Sequence, residues 1–155
     1  DLDRLSDWAL RMLPRSRWIA LGHSMGGHLL TRWVADPARR HLPFRAKLDG
    51  LVLAAPFFGL GGPVAVKSAA LGLAPVQVAR GRSAAFAWGQ TPYGRAQRRP
   101  ERQLLLTGSR AHFEDEGLWV EVRPKLATGG VSWGWISAFA ASRRALNALP
   151  LERLD

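Results

Sequence analysis

Residues 21–27 read Leu-Gly-His-Ser-Met-Gly-Gly, and this short stretch decides the fold. An uninterrupted apolar run, Trp18–Leu21, leads into it, and apolar residues at helical spacing follow it. Gly-x-Ser-x-Gly between a strand and a helix is typical of a nucleophile elbow, a tight turn that exposes a serine hydroxyl in a strained backbone conformation. The pattern makes Ser24 the candidate nucleophile. We expect Gly22 and Gly26 to stand where a β-carbon would clash with the turn.

A second apolar run, residues 51–55, predicts that this turn belongs to a βαβ unit. The run ends at Pro56, and both apolar runs are typical of strands that are buried on both faces. Apolar residues at helical spacing predict a helix over 25–35 between the strands and an amphipathic helix over 2–12 before them. We expect the two strands to lie parallel, joined by a right-handed crossover. The sequence therefore indicates the α/β class.

The rest of the chain is predicted to be mostly helical. The predicted elements are a helix over 64–78, a candidate strand over 103–107, a helix over 110–122 and a last helix that follows Ser132. We expect Gly72 and Pro75 to interrupt the first of these helices, because glycine and proline are unfavourable inside a helix. Ser132 is a candidate N-cap for the last helix.

The composition limits the partners that we expect. Twenty-two Lys and Arg against twelve Asp and Glu give a net charge of +10, which could attract nucleic acid, phosphate or an anionic membrane surface. The arginines are scattered, and no recognition helix or RNA-binding aromatic signature is visible, so we expect no nucleic-acid partner. Peripheral contact with an anionic membrane surface remains open. The chain has no cysteine, which excludes disulfides and cysteine-based metal sites.

A serine hydroxyl becomes a good nucleophile only when a histidine accepts its proton and a carboxylate orients that histidine. Of the four histidines, His23 is interpreted as support within the turn and His41 as exposed in a polar connector. His28 lies one helical turn beyond the serine, where a supporting or surface position is favoured over a pocket-facing one. His112 precedes acids at 114–116, but the acid comes before the histidine in hydrolases with this turn, so we interpret these acids as a helix start.

Three segments together resemble the lysophospholipase and monoacylglycerol lipase group of α/β hydrolases. They are Leu-Gly-His-Ser-Met-Gly-Gly-His at 21–28, Leu-Ala-Ala-Pro at 53–56, and Lys-Leu-Ala-Thr-Gly-Gly-Val-Ser-Trp-Gly-Trp at 125–135. The resemblance implies a partial α/β-hydrolase core over 1–56, made of strand, nucleophile elbow, helix and strand. It implies a mostly helical cap over 57–150, and a return to the core at 151–155.

The same resemblance implies a serine ester hydrolase that acts on a lipid-like ester and needs no metal or organic cofactor. Ser24 matches the nucleophile of the group, and the backbone N–H of Met25 matches one oxyanion donor. Phe57 and Phe58 stand where members line the acyl pocket, although core packing explains them equally well. The group's triad acid and histidine have no match in this chain, so we expect the isolated chain to be inactive. The alternative is a non-catalytic, hydrolase-like binding module.

Overall fold

The computed structural model describes residues 2–94, 101 and 106–149. The helices and strands follow one another in the order α1 (Leu2–Met12), β1 (Trp18–His23), α2 (Met25–Ala35), β2 (Leu48–Ala54), α3 (Val64–Ala79), α4 (Arg110–Val122) and α5 (Trp133–Asn147). Short 3-10 turns lie at Pro37–Arg39, Arg45–Lys47 and Pro124–Leu126. None of the helices within the described residues is long and apolar enough to cross a membrane.

The predicted βαβ unit is present, and it places the chain in the α/β class. Strands β1 and β2 pair in parallel, with Gly22 opposite Leu53, and α2 connects them. The side chains of Arg17 and Asp49 form an exposed ion pair beside the start of the two strands, with Arg17 Nε 2.7 Å from Asp49 Oδ1. The hydrogen bond from Arg17 lowers the pKa of Asp49. Helices α1 and α2 cover the predicted ranges, and each strand is two residues longer than expected, with β2 starting three residues earlier and ending one earlier.

The prediction that both strands are buried on both faces is wrong for the described part of the chain. Side chains alternate between the faces of a strand, and one face of each strand packs inward while Ile19, Leu21 and Val52 are 68%, 67% and 47% exposed. A continuous apolar run indicates that both faces of a strand can be buried. Within the described residues only one of these faces is covered.

By their contacts, the described residues form two units. The first contains the residues up to Pro63 together with those from Phe139 onward. Its aromatic core is built from Trp18, Trp33 and Phe44, whose rings lie 5.5–5.6 Å apart across the Trp18–Phe44 and Trp33–Phe44 pairs. Asp3 fixes α1 to this core because Trp33 Nε1 donates to its carboxylate at 2.5 Å. This bond, followed by one from Arg39, lowers the pKa of Asp3.

The second unit, Val64–Ala138, is centred on a small apolar cluster. Its buried members are Ala74, Ala87, Trp133 and Ile136. Helix α3 runs without a break through Gly72 and Pro75, so the predicted interruption is wrong. Its packing explains this result, because Ala74, directly before the proline, is fully buried in the cluster and helical stability comes mainly from such tertiary contacts.

The last two helices begin where the sequence predicted, and α5 also has its predicted cap. Helix α4 covers the predicted residues 110–122, and Ser109 caps it by accepting a hydrogen bond from the His112 N–H. Its acids lie beyond the first turn, so the interpretation of them as a helix start is wrong. Ser132 Oγ accepts from the Trp135 N–H at 3.2 Å and caps α5. Of the predicted strand, residues 103–105 lie outside the described residues, as does the segment 151–155. The assignment of 57–150 as a cap remains a prediction.

Candidate active site

Ser24 lies in the turn between the end of β1 and the start of α2, in a backbone conformation that is rare for a residue with a side chain. Its φ is +51° and its ψ is −120°. Such values cost about 1–3 kcal/mol in a residue other than glycine and persist only where the surrounding structure imposes them. The N–H of Ser24 donates to the carbonyl of Ala54 at 3.1 Å, which ties the turn to the end of β2.

The carbonyl oxygen of Ser24 is the acceptor that holds the turn together. It accepts from the Gly27 N–H at 3.1 Å, from the His28 N–H at 3.4 Å and from the Phe57 N–H at 2.8 Å. The first two bonds begin helix α2, and the third attaches the chain that leaves β2 through Pro56. Ala55 also has a positive φ, of 42°, so both segments bend sharply where they meet.

Two glycines are required by close backbone approach, and one of them differs from the prediction. A β-carbon on Gly22 would lie 2.7 Å from Cα of Gly27 and 2.8 Å from the carbonyl oxygen of Gly26. A β-carbon on Gly27 would lie 2.8 Å from Cβ of Pro56, whereas one on Gly26 would meet no atom of the described chain within 4 Å. The prediction that Gly26 is the second crowded position is therefore wrong, and Gly27 holds that place.

Helix α2 begins at Met25 and supplies unpaired N–H groups beside Ser24. The first N–H groups of any helix lack an intrahelical acceptor and carry the positive end of the helix dipole. Within the part of the chain that is described, no acceptor takes the N–H of Met25. This geometry suits a developing oxyanion, and the oxyanion role of Met25 remains a prediction.

His28 is buried beneath the elbow rather than facing a pocket. Its side chain is fully inaccessible, and its Nε2 lies 2.8 Å from Oγ of Ser142 on helix α5. The ring is flanked by Phe139 and Phe58, whose centroids are 5.3 Å and 6.1 Å away. Of the supporting and surface positions that the sequence favoured over a pocket-facing one, the supporting position is the observed one.

Burial is the main influence on the charge of His28. It lowers the pKa of the ring, and the positive charge of Arg32 lowers that pKa further. The backbone carbonyl of Phe57 raises that pKa slightly. Among the described residues, Nδ1 of His28 has no hydrogen-bond partner. The neutral form of His28 is therefore favoured.

The remaining histidines are exposed. His23 precedes Ser24 at the end of β1, His41 lies in the connector after α2, and His112 lies in α4. Among the described residues, no histidine ring is hydrogen-bonded to the hydroxyl of Ser24. The described residues thus form the strained turn at Ser24 without a histidine bonded to its hydroxyl.

Phe57 and Phe58, the predicted acyl-pocket residues, are placed in aromatic contacts. The ring of Phe57 is half-buried and lies 5.0 Å from the ring of Phe139. Phe58 is 40% exposed and borders His28. These contacts give both residues a packing role, and their role in substrate binding remains a prediction.

A large apolar groove lies among α1, α2 and β1, next to the aromatic core of the first unit. Its volume is about 500 Å³, and its walls include Leu5, Leu21, His23 and Leu29. Ser24 is not among the lining residues. Because core residues such as Trp18 and Trp33 also line it, we interpret the groove as incompletely covered core surface. Ser24 remains the predicted nucleophile.

The parallel βαβ unit and the strained serine turn define the class of this protein, an α/β hydrolase. Within that class, the chain belongs to the family described as serine aminopeptidase, S33, whose model matches residues 1–143. Neither the curated proteins nor the solved structures contain a match to the chain.

Sequence reasoning missed two features that shape the site. The sequence signal for Gly27 is the Gly-Gly doublet at 26–27, but the Gly-x-Ser-x-Gly motif contains only Gly26 of that doublet. The contact between His28 and Ser142 joins residues 114 positions apart. Its signal was a serine on the otherwise apolar stripe of the last helix, since a buried hydroxyl needs a hydrogen-bond partner.

Proposed function

We propose that this chain carries the nucleophile of a serine ester hydrolase of the lysophospholipase or monoacylglycerol lipase type. The observation that carries the proposal is the conformation of Ser24, with φ +51° and ψ −120° between a parallel strand and a helix. A strained strand-to-helix turn is what presents a hydroxyl to a substrate in this class. Membership of a serine hydrolase family supports the same reading.

In this proposal Ser24 Oγ attacks the carbonyl carbon of the ester, and its proton passes to a histidine base. The N–H of Met25 donates to the oxyanion of the tetrahedral intermediate. Collapse of that intermediate releases the alcohol and leaves an acyl group on Ser24, and water then attacks the acyl carbonyl and releases the fatty acid. No histidine of the described residues occupies the base position, so the base comes from elsewhere in the complete protein.

The lipid-like substrate is supported by the likeness of segments 21–28, 53–56 and 125–135 to the lysophospholipase group. The family description instead names an aminopeptidase, which makes amide cleavage the competing chemistry at the same serine. A non-catalytic binding module is the alternative that the missing serine–histidine bond favours. Contact with an anionic membrane surface remains a further prediction.

The test uses the protein encoded by the whole reading frame that contains this sequence. Its hydrolysis of a lysophospholipid, a monoacylglycerol and an amino-acid nitroanilide is compared, with Ser24→Ala as the matched control. We expect turnover of one of the lipid esters, lost by about 10⁴-fold or more in the variant. Turnover of the nitroanilide alone would contradict the ester proposal. Lipid binding without turnover in either protein would support the module.

A further inference from the structure

Helix α1 packs on the first unit through one apolar side. Leu2 and Leu10 lie against the aromatic core of that unit. Ser6, which stands between them at helical spacing, is buried, and its Oγ donates to the carbonyl oxygen of Asp3 at 2.8 Å. Residues four apart lie on the same side of a helix. These three residues therefore define the inner side of α1.

A second apolar row lies on the outer side of the same helix. It consists of Leu5, Trp8 and Met12, whose spacing of three and four residues places them in line, and we call it the exposed stripe. Each side chain is more than half exposed, with Trp8 at 54%. Leu5 also lines the apolar groove, whereas Trp8 and Met12 do not. Contiguous apolar surface of this kind marks a contact site for a protein or a membrane.

Arginines flank the exposed stripe. Trp8 follows Arg4 by four residues and precedes Arg11 by three, so the three side chains are neighbours on the helix surface. Neither arginine forms an ion pair within the described part of the chain. Arg15, in the turn after the helix, is exposed as well, and Asp7 is the exposed acid of the helix. The surface around the stripe is therefore positively charged.

Helix α4 offers a comparison of opposite charge. It exposes an apolar row of its own, with Trp119 at 61% and both Leu118 and Val122 above half. Four acids lie in the same helix, at positions 114, 115, 116 and 121. Each of the two helices thus exposes a tryptophan to a similar extent, but only α1 surrounds it with unpaired arginines. Charge distinguishes the exposed stripe from other exposed apolar surface.

The chemistry of the exposed stripe matches that of an anionic lipid surface. Tryptophan is favoured at the boundary between lipid and water, because its ring is apolar and its N–H is polar. Arginine stems lie along apolar surface while their guanidinium groups reach lipid phosphates. A helix with both features binds in the plane of a membrane, and each cation adds attraction to anionic lipid.

We propose that the exposed stripe and its flanking arginines dock on an anionic membrane surface. The proposal assigns to α1 the membrane contact that the net charge of +10 left open. Docking does not involve the hydroxyl of Ser24. Its failure is therefore distinguishable from a failure of the proposed hydrolase activity.

The test measures co-sedimentation with large vesicles, using the protein encoded by the whole reading frame that contains this sequence. One set of vesicles is phosphatidylcholine alone, and the other is a mixture of phosphatidylcholine and phosphatidylglycerol. We expect binding to the charged vesicles to be at least about tenfold tighter than to the neutral ones, and to weaken as salt is added. Equal binding to the two sets would overturn the proposal.

Three variants locate the docking surface. Trp8→Ala should weaken binding to the charged vesicles about tenfold, and Trp119→Ala, the matched control, by less than about twofold. Arg4→Gln and Arg11→Gln in one protein should weaken it about twentyfold or more, and should leave binding to neutral vesicles nearly unchanged. The arginine variant removes no core contact, so its result does not depend on how Trp8→Ala folds.

Two outcomes would contradict docking through α1. Equal losses in Trp8→Ala and Trp119→Ala would show that exposure alone decides binding. The other outcome is unchanged vesicle binding in Trp8→Ala together with conversion of a dimer into a monomer, measured by light scattering. That result would show that the exposed stripe contacts a second copy of the protein instead of a membrane.

Discussion

Gly27 and Pro56 approach each other so closely that a β-carbon on residue 27 would lie 2.8 Å from Cβ of the proline. This contact joins the first turn of helix α2 to the segment that leaves β2. It is also where Phe57 bonds to the Ser24 carbonyl. The elbow therefore depends on the exit of the second strand as well as on the motif around the serine.

The first prediction concerns the two adjacent glycines. Gly27→Ala should destabilise the chain by about 1–3 kcal/mol, because the added methyl group overlaps Pro56 and forces the segments apart. Gly26→Ala should be neutral or stabilising by up to about 1 kcal/mol, because its β-carbon meets open space and alanine favours the helix. Urea unfolding of both variants measures the difference. Equal losses of stability at the two positions would refute this account of the turn.

The second prediction is a loss of stability in mild acid that depends on His28. Burial lowers the pKa of His28, so the unfolded state binds its proton more readily than the folded state. The stability contributed by the neutral ring is complete above about pH 6.5, the ordinary histidine value, and is lost as the pH falls below it. The positive charge of Arg32 also lowers the pKa of the ring, while Ser142, Phe139 and Phe58 are the neutral side chains packed against it.

Urea unfolding at pH 7.5, 6.5 and 5.5 measures this effect. The free energy of unfolding should fall over the range in the unmodified chain, and the fall should be smaller in His28→Asn. His112→Gln is the matched control, because its ring is exposed on helix α4. An equal pH dependence in the chain and in His28→Asn would show that the buried ring is not the cause.

The third prediction separates the covered face of the βαβ unit from the uncovered one. Val34 is 5% exposed in the core of the first unit, and Val52 is 47% exposed on β2. Val34→Thr should cost about 1–3 kcal/mol, because it buries a hydroxyl group, whereas Val52→Thr should change stability by less than about 0.5 kcal/mol. The second variant should also aggregate less. Thermal melts and light scattering test both statements, and a large loss of stability in Val52→Thr would show that this face is covered.

The sequence predicted the elements that depend on local patterns. The bounds of α1, α2 and α4 follow from apolar spacing and proline stops, and the parallel βαβ order follows from the general rule for such units. The failures concern contacts between distant segments. Gly27 is crowded by Pro56, His28 binds Ser142, and the exposure of Ile19 depends on what lies against its face. None of these relationships has a periodic signal within one segment.

The fourth prediction concerns reactivity of the 155-residue chain on its own. With no histidine bonded to Ser24 among the described residues, we expect slow labelling by a fluorophosphonate probe and little hydrolysis of a short nitrophenyl ester, since only the turn and its N–H groups would contribute. Mass spectrometry of the labelled peptide, with Ser24→Ala as the control, measures both the rate and the site. Fast labelling of Ser24 or robust turnover would contradict the expectation.

The central claim is that Ser24 occupies a strained nucleophile turn, and paired substitutions test it most directly. At φ +51° and ψ −120° glycine should be favoured, so Ser24→Gly should be more stable than Ser24→Ala by about 1–3 kcal/mol. At Ser68, an exposed position inside helix α3, the order should be reversed, with alanine more stable by about 1 kcal/mol. Urea unfolding of the four variants gives the answer. If alanine were also the more stable residue at position 24, the strained turn and the account built on it would be contradicted.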